Sequence, residues 1–415
     1  MPASRRPPAL APSPRDVARG SRGLGAALLA LAAAAAGCND VDAAGVPTPV
    51  DPRAQCVERA QGASGPRWAA DCLRMNHLQT IGTHNSYHVQ ARPSILSTLS
   101  VFSPDLATSI SYSHPPLDEQ LRGGVRQLEL DVFADPAGGL YANRQGLPLV
   151  GEPAASGIAE LSQPGFKVLH VQDIDFESTC WSLASCLATV RAWSEANPRH
   201  VPVLVLIEAK YQSIDDLGFD FSDPLPIGAP ELEALEQEVF TALGDRLITP
   251  DFVRGERGTL EEAVRADGWP TVEAARGKIM LALDNEDAVR DAYLAGHPSL
   301  AGRAMFTSAR PGSPEAAFVK LNDVLADGAL VAQLAADGFL VRTRADVDTL
   351  EARRGDVTRR DAALASGAQC VSTDYPVPDP ALGTGYAVAL PEGPPARCNP
   401  VSAPPWCEPG LFAEQ

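Results

Sequence analysis

Between residues 77 and 373 the chain repeats one pattern eight times: a short β-branched or apolar run, then a stretch with helical spacing or a long loop. The runs are residues 78–83, 126–133, 167–171, 201–208, 278–284, 304–307, 339–342 and 369–373. Helical spacing fills residues 115–122, 182–196, 229–243, 286–295, 328–337 and 346–366, and Asn197-Pro198 stops the second of these. Eight strands with crossovers over about 300 residues are the arithmetic of an α/β fold, a (β/α)8 barrel. A doubly wound open sheet is the alternative, but no glycine fingerprint follows the first strand. The run VPVLVLI at 201–207 has the unbroken apolar character of a parallel strand buried on both faces.

Composition narrows the function. With 45% hydrophobic and 21% charged residues the chain can bury a sizeable core. Its formal charge of −18 argues against binding nucleic acid through a basic surface. Five arginines in residues 1–23 precede an apolar run at 24–36, too short to span a bilayer and right for a signal-peptide core. Gly37-Cys38 follows, as in bacterial lipoprotein signals, so export with a lipid anchor on Cys38 is expected; an ordinary cleaved signal is the alternative. The expected organisation is a leader over 1–37, a Pro-rich tether and cap over 38–72, a barrel over 73–376 and an irregular extension over 377–415.

Export permits disulfides. Cys56/Cys72, Cys180/Cys186 and Cys398/Cys407 are local pairs, although spacing alone does not fix connectivity. Cys370, in an apolar run, reads as a buried thiol.

In a barrel of this kind, chemistry sits at the C-terminal strand ends. There the first strand places His84 and Asn85, the second Glu129 and Asp131, the third His170, and the fourth Glu208 with Lys210 beyond it. Glu129 and Asp131 are two apart, so both point into the barrel while Leu128, Leu130 and Val132 face the helices. Inward acids repel and are badly desolvated unless a cation compensates. No basic residue stands at a matching position on the first three strands, and Lys210 alone cannot answer three carboxylates. A metal ion on Asn85, Glu129, Asp131 and Glu208 is the expected answer, and hard oxygen donors favour Ca2+, with Mg2+ as the alternative, over zinc or copper. His84 and His170 flank these donors, and two imidazoles beside a cation suit phosphoryl transfer. The other histidines, His88 included, read as structural.

In this order THNSY, ELD, the third-strand histidine and LIEAK resemble the calcium-dependent phosphoinositide-specific phospholipases C, most nearly their secreted bacterial branch. The likeness runs over residues 73–407 and includes CWSLASCLATVRAW, GWPTVEAARGKIM, STDYP and the RCNP…C tail. It implies cleavage of phosphatidylinositol to diacylglycerol and a cyclic or linear inositol phosphate, by attack of the inositol 2-hydroxyl on phosphorus. Asn85, Glu129, Asp131 and Glu208 would hold Ca2+. Glu129 would act as base, His170 would protonate the leaving oxygen, and His84 would stabilise the transition state. Lys210, Arg342, Asp284 and Asp374-Tyr375 are the candidates for gripping the headgroup, with an ion pair to a barrel acid as the other reading of Arg342. The implied partner is a phospholipid surface, met by a monomer with no nucleic-acid or protein partner. A glycerophosphodiester phosphodiesterase is one alternative, although THNSYH stands where that family has a His-Arg-Gly-type opening. A catalytically silent surface lipoprotein is the other.

Overall fold

The computed structural model describes residues 72–214 and 219–414. The leader, Cys38, and the Cys56 half of one expected disulfide lie outside the described residues.

Eight parallel strands form the barrel. They are β1 (Leu78–Thr83), β2 (Gln127–Phe133), β4 (Val203–Lys210), β6 (Ile279–Leu283), β7 (Phe306–Thr307), β8 (Phe318–Lys320), β9 (Leu340–Arg344) and β10 (Cys370–Thr373). The hydrogen-bonded path runs from β6 through β4, β2, β1, β10 and β9 to β8, and β7 pairs with β6. A parallel bridge between Ser308 and Phe318 brings the β7 end back against β8, so the sheet curls round on itself. Three short strands lie off this ring: β3 (Lys167–Val168) along β2, β5 (Leu247–Ile248) along β6, and β11 (Arg397–Cys398) along β1. The longest register joins β2 to β4 from Gln127↔Leu204 to Phe133↔Lys210, and it sets Asp131 directly beside Glu208. The β1 to β2 ladder is paired only at Gly82↔Gln127. There a Cβ on residue 82 would lie 2.1 Å from Gln127 Oε1, so only glycine fits.

One expected strand is corrected. Of residues 167–171 only Lys167 and Val168 pair, antiparallel to the top of β2. Val171 and Asp175 then exchange both backbone hydrogen bonds, at 2.9 and 3.0 Å, and fold the chain back into a tight loop. The eighth ring position belongs instead to β8, whose three residues carry too short a pattern to stand out. Helices cover the ring. Leu183–Ala196 is capped by Ser182, which accepts from Ser185 N, and buries Leu183, Cys186, Leu187, Val190 and Trp193 against the sheet. Ala229–Leu243 and Val324–Ala336 bury one face each in the same way. Among the described residues no helix is long and apolar enough to cross a membrane.

The C-terminal segment closes the end of the barrel opposite the strand-end chemistry. In it β11 (Arg397–Cys398) adds antiparallel to the start of β1, and Cys398 is bonded to Cys407. Phe412 packs with Leu73, Leu78, Val201 and Val272 in a satellite core. Cys180–Cys186 is the other disulfide with both halves described, and Cys370 is a buried thiol, as expected.

Candidate active site

The chain leaves β1 in a tight reversal. Asn85 adopts φ 46°, a left-handed conformation that asparagine tolerates better than most residues. This lets Ser86 N donate to Glu129 O at 2.9 Å while Ser86 Oγ accepts from Glu129 N at 2.8 Å. His84 and Asn85 are thereby pinned to the strand carrying the two acids.

Glu129 and Asp131 are both buried inside the barrel, as their spacing predicts. Glu208 joins them from β4 and Asp284 from the end of β6. Burial pushes the Glu129 and Asp131 carboxyls far above the usual carboxylate range, against the opposing pull of Arg342 on the first and Lys210 on the second.

The expectation that Lys210 is the one side chain to answer these acids is corrected, because further cations come from the far half of the ring. Arg342 on β9 is 1% exposed and holds Glu129 Oε2 at 2.5 Å, with further bonds to Asn322 and to Ser372 Oγ. This ion pair with a barrel acid is the other reading that the sequence allowed for Arg342. Asp284, the second headgroup candidate, is held by Lys320 on β8 at 2.7 Å. Lys210 lies 3.4 Å from Asp131 Oδ2 and 3.6 Å from Glu208 Oε2, and so stands within the acid cluster.

Three bases against four acids leave one carboxylate over. Asp131 shows where. It is 1% exposed, the Lys210 ion pair lacks hydrogen-bond geometry, and neither carboxylate oxygen has a hydrogen-bond partner among the described residues. Orphaned buried oxygens of this kind are costly. The Asn85 amide, Glu208 and the Glu129 edge not taken by Arg342 are the other hard oxygens of the expected set, and oxygen donors of this kind suit Ca2+.

Both expected histidines are partly exposed and oriented through Nδ1. His84 Nδ1 lies 2.9 Å from Asp374 Oδ1, and its Nε2 points at Glu129 Oε1, 3.7 Å away. Burial raises Asp374, but Arg344 and His84 outweigh it and hold this carboxyl well below its usual range. His84 in turn is depressed to about 3 by burial and Arg344, so at neutral pH it is uncharged, with Nδ1–H on Asp374 and a lone pair on Nε2. His170, on the loop after β3, donates from Nδ1 to Asp175 Oδ2 at 2.7 Å, and Nε2 is its nitrogen available to substrate.

Sequence reasoning missed the partners of both imidazoles. Asp374 stood among the headgroup candidates, and Asp175 gave no signal because it is a polar residue in a loop. His88, read as structural, is fully buried and lies 2.9 Å from Asp175 Oδ2 through Nε2, with Tyr112 stacked on its ring. His114, another histidine read as structural, lies 2.9 Å through Nε2 from the His84 carbonyl. Among the described residues His88, His170 and Asp175 bring three ligand atoms within 4.8 Å of one another. Two imidazoles and one carboxylate suit a softer ion than Ca2+, and in this structure those atoms are hydrogen-bonded to one another.

Among solved structures, a calcium-dependent phosphoinositol-specific phospholipase C from a Gram-negative Pseudomonas sp is similar at 15% identity and TM-score 0.49, covering 80% of this chain and 96% of that one. A Ca2+-dependent phosphatidylinositol-specific phospholipase C from Streptomyces antibioticus is similar at 19% identity and TM-score 0.45, covering 73% and 95%. The phosphatidylinositol-specific phospholipase C of Listeria monocytogenes follows at 14% identity and TM-score 0.39, covering 74% and 92%. No curated protein matches the sequence. The decisive likeness is one of sequence and spans the whole barrel. Residues 73–400 match the family described as phosphoinositide phospholipase C, Ca2+-dependent, and the chain belongs to that family of phosphodiester-cleaving enzymes, whose cofactor agrees with the hard-oxygen donors at the strand ends.

Proposed function

We propose that the protein cleaves phosphatidylinositol at a membrane surface, releasing diacylglycerol and an inositol phosphate. The observation that carries this reading is the pair of imidazoles, each fixed through Nδ1 by a buried aspartate beside an acid cluster with unsatisfied oxygens. Asn85, Glu129, Asp131 and Glu208 are the residues to hold Ca2+. When bound, that ion supplies positive charge that acidifies the inositol 2-hydroxyl and offsets charge on the phosphoryl oxygens. The 2-hydroxyl oxygen attacks phosphorus, and its proton passes to the Glu129–His84 pair. Glu129 is the base implied by the resemblance. The neutral His84, steadied by Asp374, gives that proton a second acceptor as well as stabilising the transition state. The bond from phosphorus to the glycerol oxygen breaks, and this oxygen takes a proton from His170 Nε2.

A lipid surface as partner is supported by exposed apolar side chains on segments that leave the C-terminal strand ends. The helix Pro93–Phe102, after β1, presents Val101 and Phe102 at 76% and 82% exposure, and Val377, after β10, is 64% exposed. The helix itself is seated on the mouth loops through Ile95, Leu147 and Phe176. Exposed side chains of this kind suit insertion between lipid headgroups. The two disulfides with both halves among the described residues suit an exported protein, which we read as tethered through Cys38.

The test offers phosphatidylinositol and glycerophosphoinositol to the purified enzyme with Ca2+, beside His170→Ala. Cleavage of phosphatidylinositol, with turnover by the variant lowered by about 10²-fold or more and Ca2+ binding kept, is the expected result. Turnover of the deacylated compound alone would replace this reading with a glycerophosphodiesterase.

A further inference from the structure

The Asp175 carboxylate is shared. His170 Nδ1 reaches its Oδ2 at 2.7 Å, and His88 Nε2 lies 3.0 Å from Oδ1 and 2.9 Å from Oδ2. Asp175 is 1% exposed and His88 fully buried, so neither group meets solvent or substrate directly. Their positions are fixed independently of His170. His88 N donates to Asn85 O at 2.8 Å, Tyr112 stacks on the His88 ring at 4.4 Å, and Asp175 sits in the two-bond backbone turn with Val171.

The protons can be assigned from this geometry. An ionised carboxylate only accepts, so both imidazoles donate to it. His88 Nδ1 is buried with no hydrogen-bond partner among the described residues. His88 therefore donates from Nε2, the ring nitrogen that faces the carboxylate. Burial alone would raise the Asp175 pKa, yet the charge and hydrogen bonds of His88 and His170 hold it below its usual value. The carboxylate therefore remains ionised and fixes the His170 ring with Nε2 outward.

We infer that Asp175 is a positioning residue for His170 and that His88, acting behind it, holds that carboxylate in place. This rests on the reading of His170 as the group that protonates the leaving oxygen, and it extends that reading to two residues with no contact to the substrate. A hydrogen-bonded partner on the nitrogen facing away from the reaction selects the tautomer and raises the basicity of the other nitrogen. The consequence is specific. Only a leaving group that needs a proton feels the loss of Asp175 or His88.

The full-length enzyme with Ca2+ is assayed on phosphatidylinositol and on the inositol 1-phosphate ester of 4-nitrophenol, whose phenolate departs unprotonated. Asp175→Asn is expected to lower kcat on the lipid by roughly 10²-fold and on the nitrophenyl ester by no more than about threefold, with KM of both little changed. His88→Phe is expected to show the same asymmetry, and His88→Gln, which keeps a donor near the Nε2 position, to recover most of the lipid rate. Equal losses on both substrates in Asp175→Asn and His88→Phe, or no loss on either, would overturn the inference and leave both residues as packing. A thermal melt of each variant serves as the folding control, and the rates of variants that melt cooperatively decide the outcome. His170→Ala separates the two levels of the argument. If it shows the asymmetry and Asp175→Asn does not, the acid role stands and the positioning role falls. If His170→Ala shows none, the acid assignment itself is wrong, and the inference built on it fails too.

Discussion

Asp131 concentrates the electrostatics of the site in one side chain. Glu129 has Arg342 and Asp284 has Lys320, whereas both Asp131 oxygens are buried without a hydrogen bond. The cost of that burial is borne whenever the ion is absent, so removing the charge relieves it. Asp131→Asn is expected to melt at or above the wild-type temperature in chelator. It should also lose the upward shift that Ca2+ gives the wild type, which amounts to about 2.7 kcal/mol at a hundredfold excess over Kd. Paired thermal melts with and without Ca2+ check this, and a full Ca2+ shift in the variant would remove Asp131 from the ligand set. Arg342 carries the opposite lesson. It is as deeply buried, but it is bonded to Asn322, Glu129 and Ser372.

The segments between strands hold the functional groups more than the strands do. The loop bearing His170 and Asp175 is closed by Cys180–Cys186, which fastens it to the first turn of the helix Leu183–Ala196. A cross-link separated by 6 residues restricts the unfolded chain by about 2 kcal/mol. The double variant Cys180→Ser/Cys186→Ser is expected to lose about that much in urea unfolding, and an unchanged midpoint would show that the clamp is idle. The helix Pro93–Phe102 makes a separate prediction. If Phe102 inserts into lipid, Phe102→Ser gives up about 2 kcal/mol of apolar burial and lowers the rate on vesicles by roughly 10- to 30-fold. The rate on the soluble nitrophenyl ester should stay unchanged, and a parallel fall on both substrates would mean that the residue supports the fold instead.

Taken together, the elements put chemistry at one end of the barrel and stabilising contacts at the other. Arg126 pairs with Glu414 at the closed end, Glu414 Oε1 accepts from Val201 N at 2.9 Å, and His200 lies alongside. His200 is fully buried, 2.7 Å from Ser194 Oγ and 2.6 Å from the Val201 carbonyl, with Arg126, Glu414 and Arg246 as its charged neighbours. Burial lowers its pKa from 6.5 to about 4. The unfolded chain therefore binds a proton first on acidification, and stability that is complete above pH 6.5 falls as the pH drops through 4. The loss should reach about 3 kcal/mol by pH 4, read as a falling melting temperature. His200→Gln should flatten the curve in that window, and an equal slope in the variant would assign the acid sensitivity elsewhere.

Much of this arrangement was legible in local pattern. The alternation of apolar runs with helical spacing gave the barrel, and the i, i+2 spacing of Glu129 and Asp131 gave their common inward face, because strand periodicity is a property of a few adjacent residues. His84 and His170 were legible as strand-end residues, although His170 turned out to sit on a loop folded back from a two-residue strand. Pairings across the ring were not legible. Arg342 meets Glu129 from 213 positions away and His84 meets Asp374 from 290, and no local pattern encodes which side chains closure of a sheet brings together. β8 escaped for a related reason, since three residues define a strand only once neighbours on both sides supply its hydrogen bonds. Periodicity in the chain fixed which residues face inward, and folding in space alone chose their partners, because burial turns every inward charge into a demand that any part of the ring can meet.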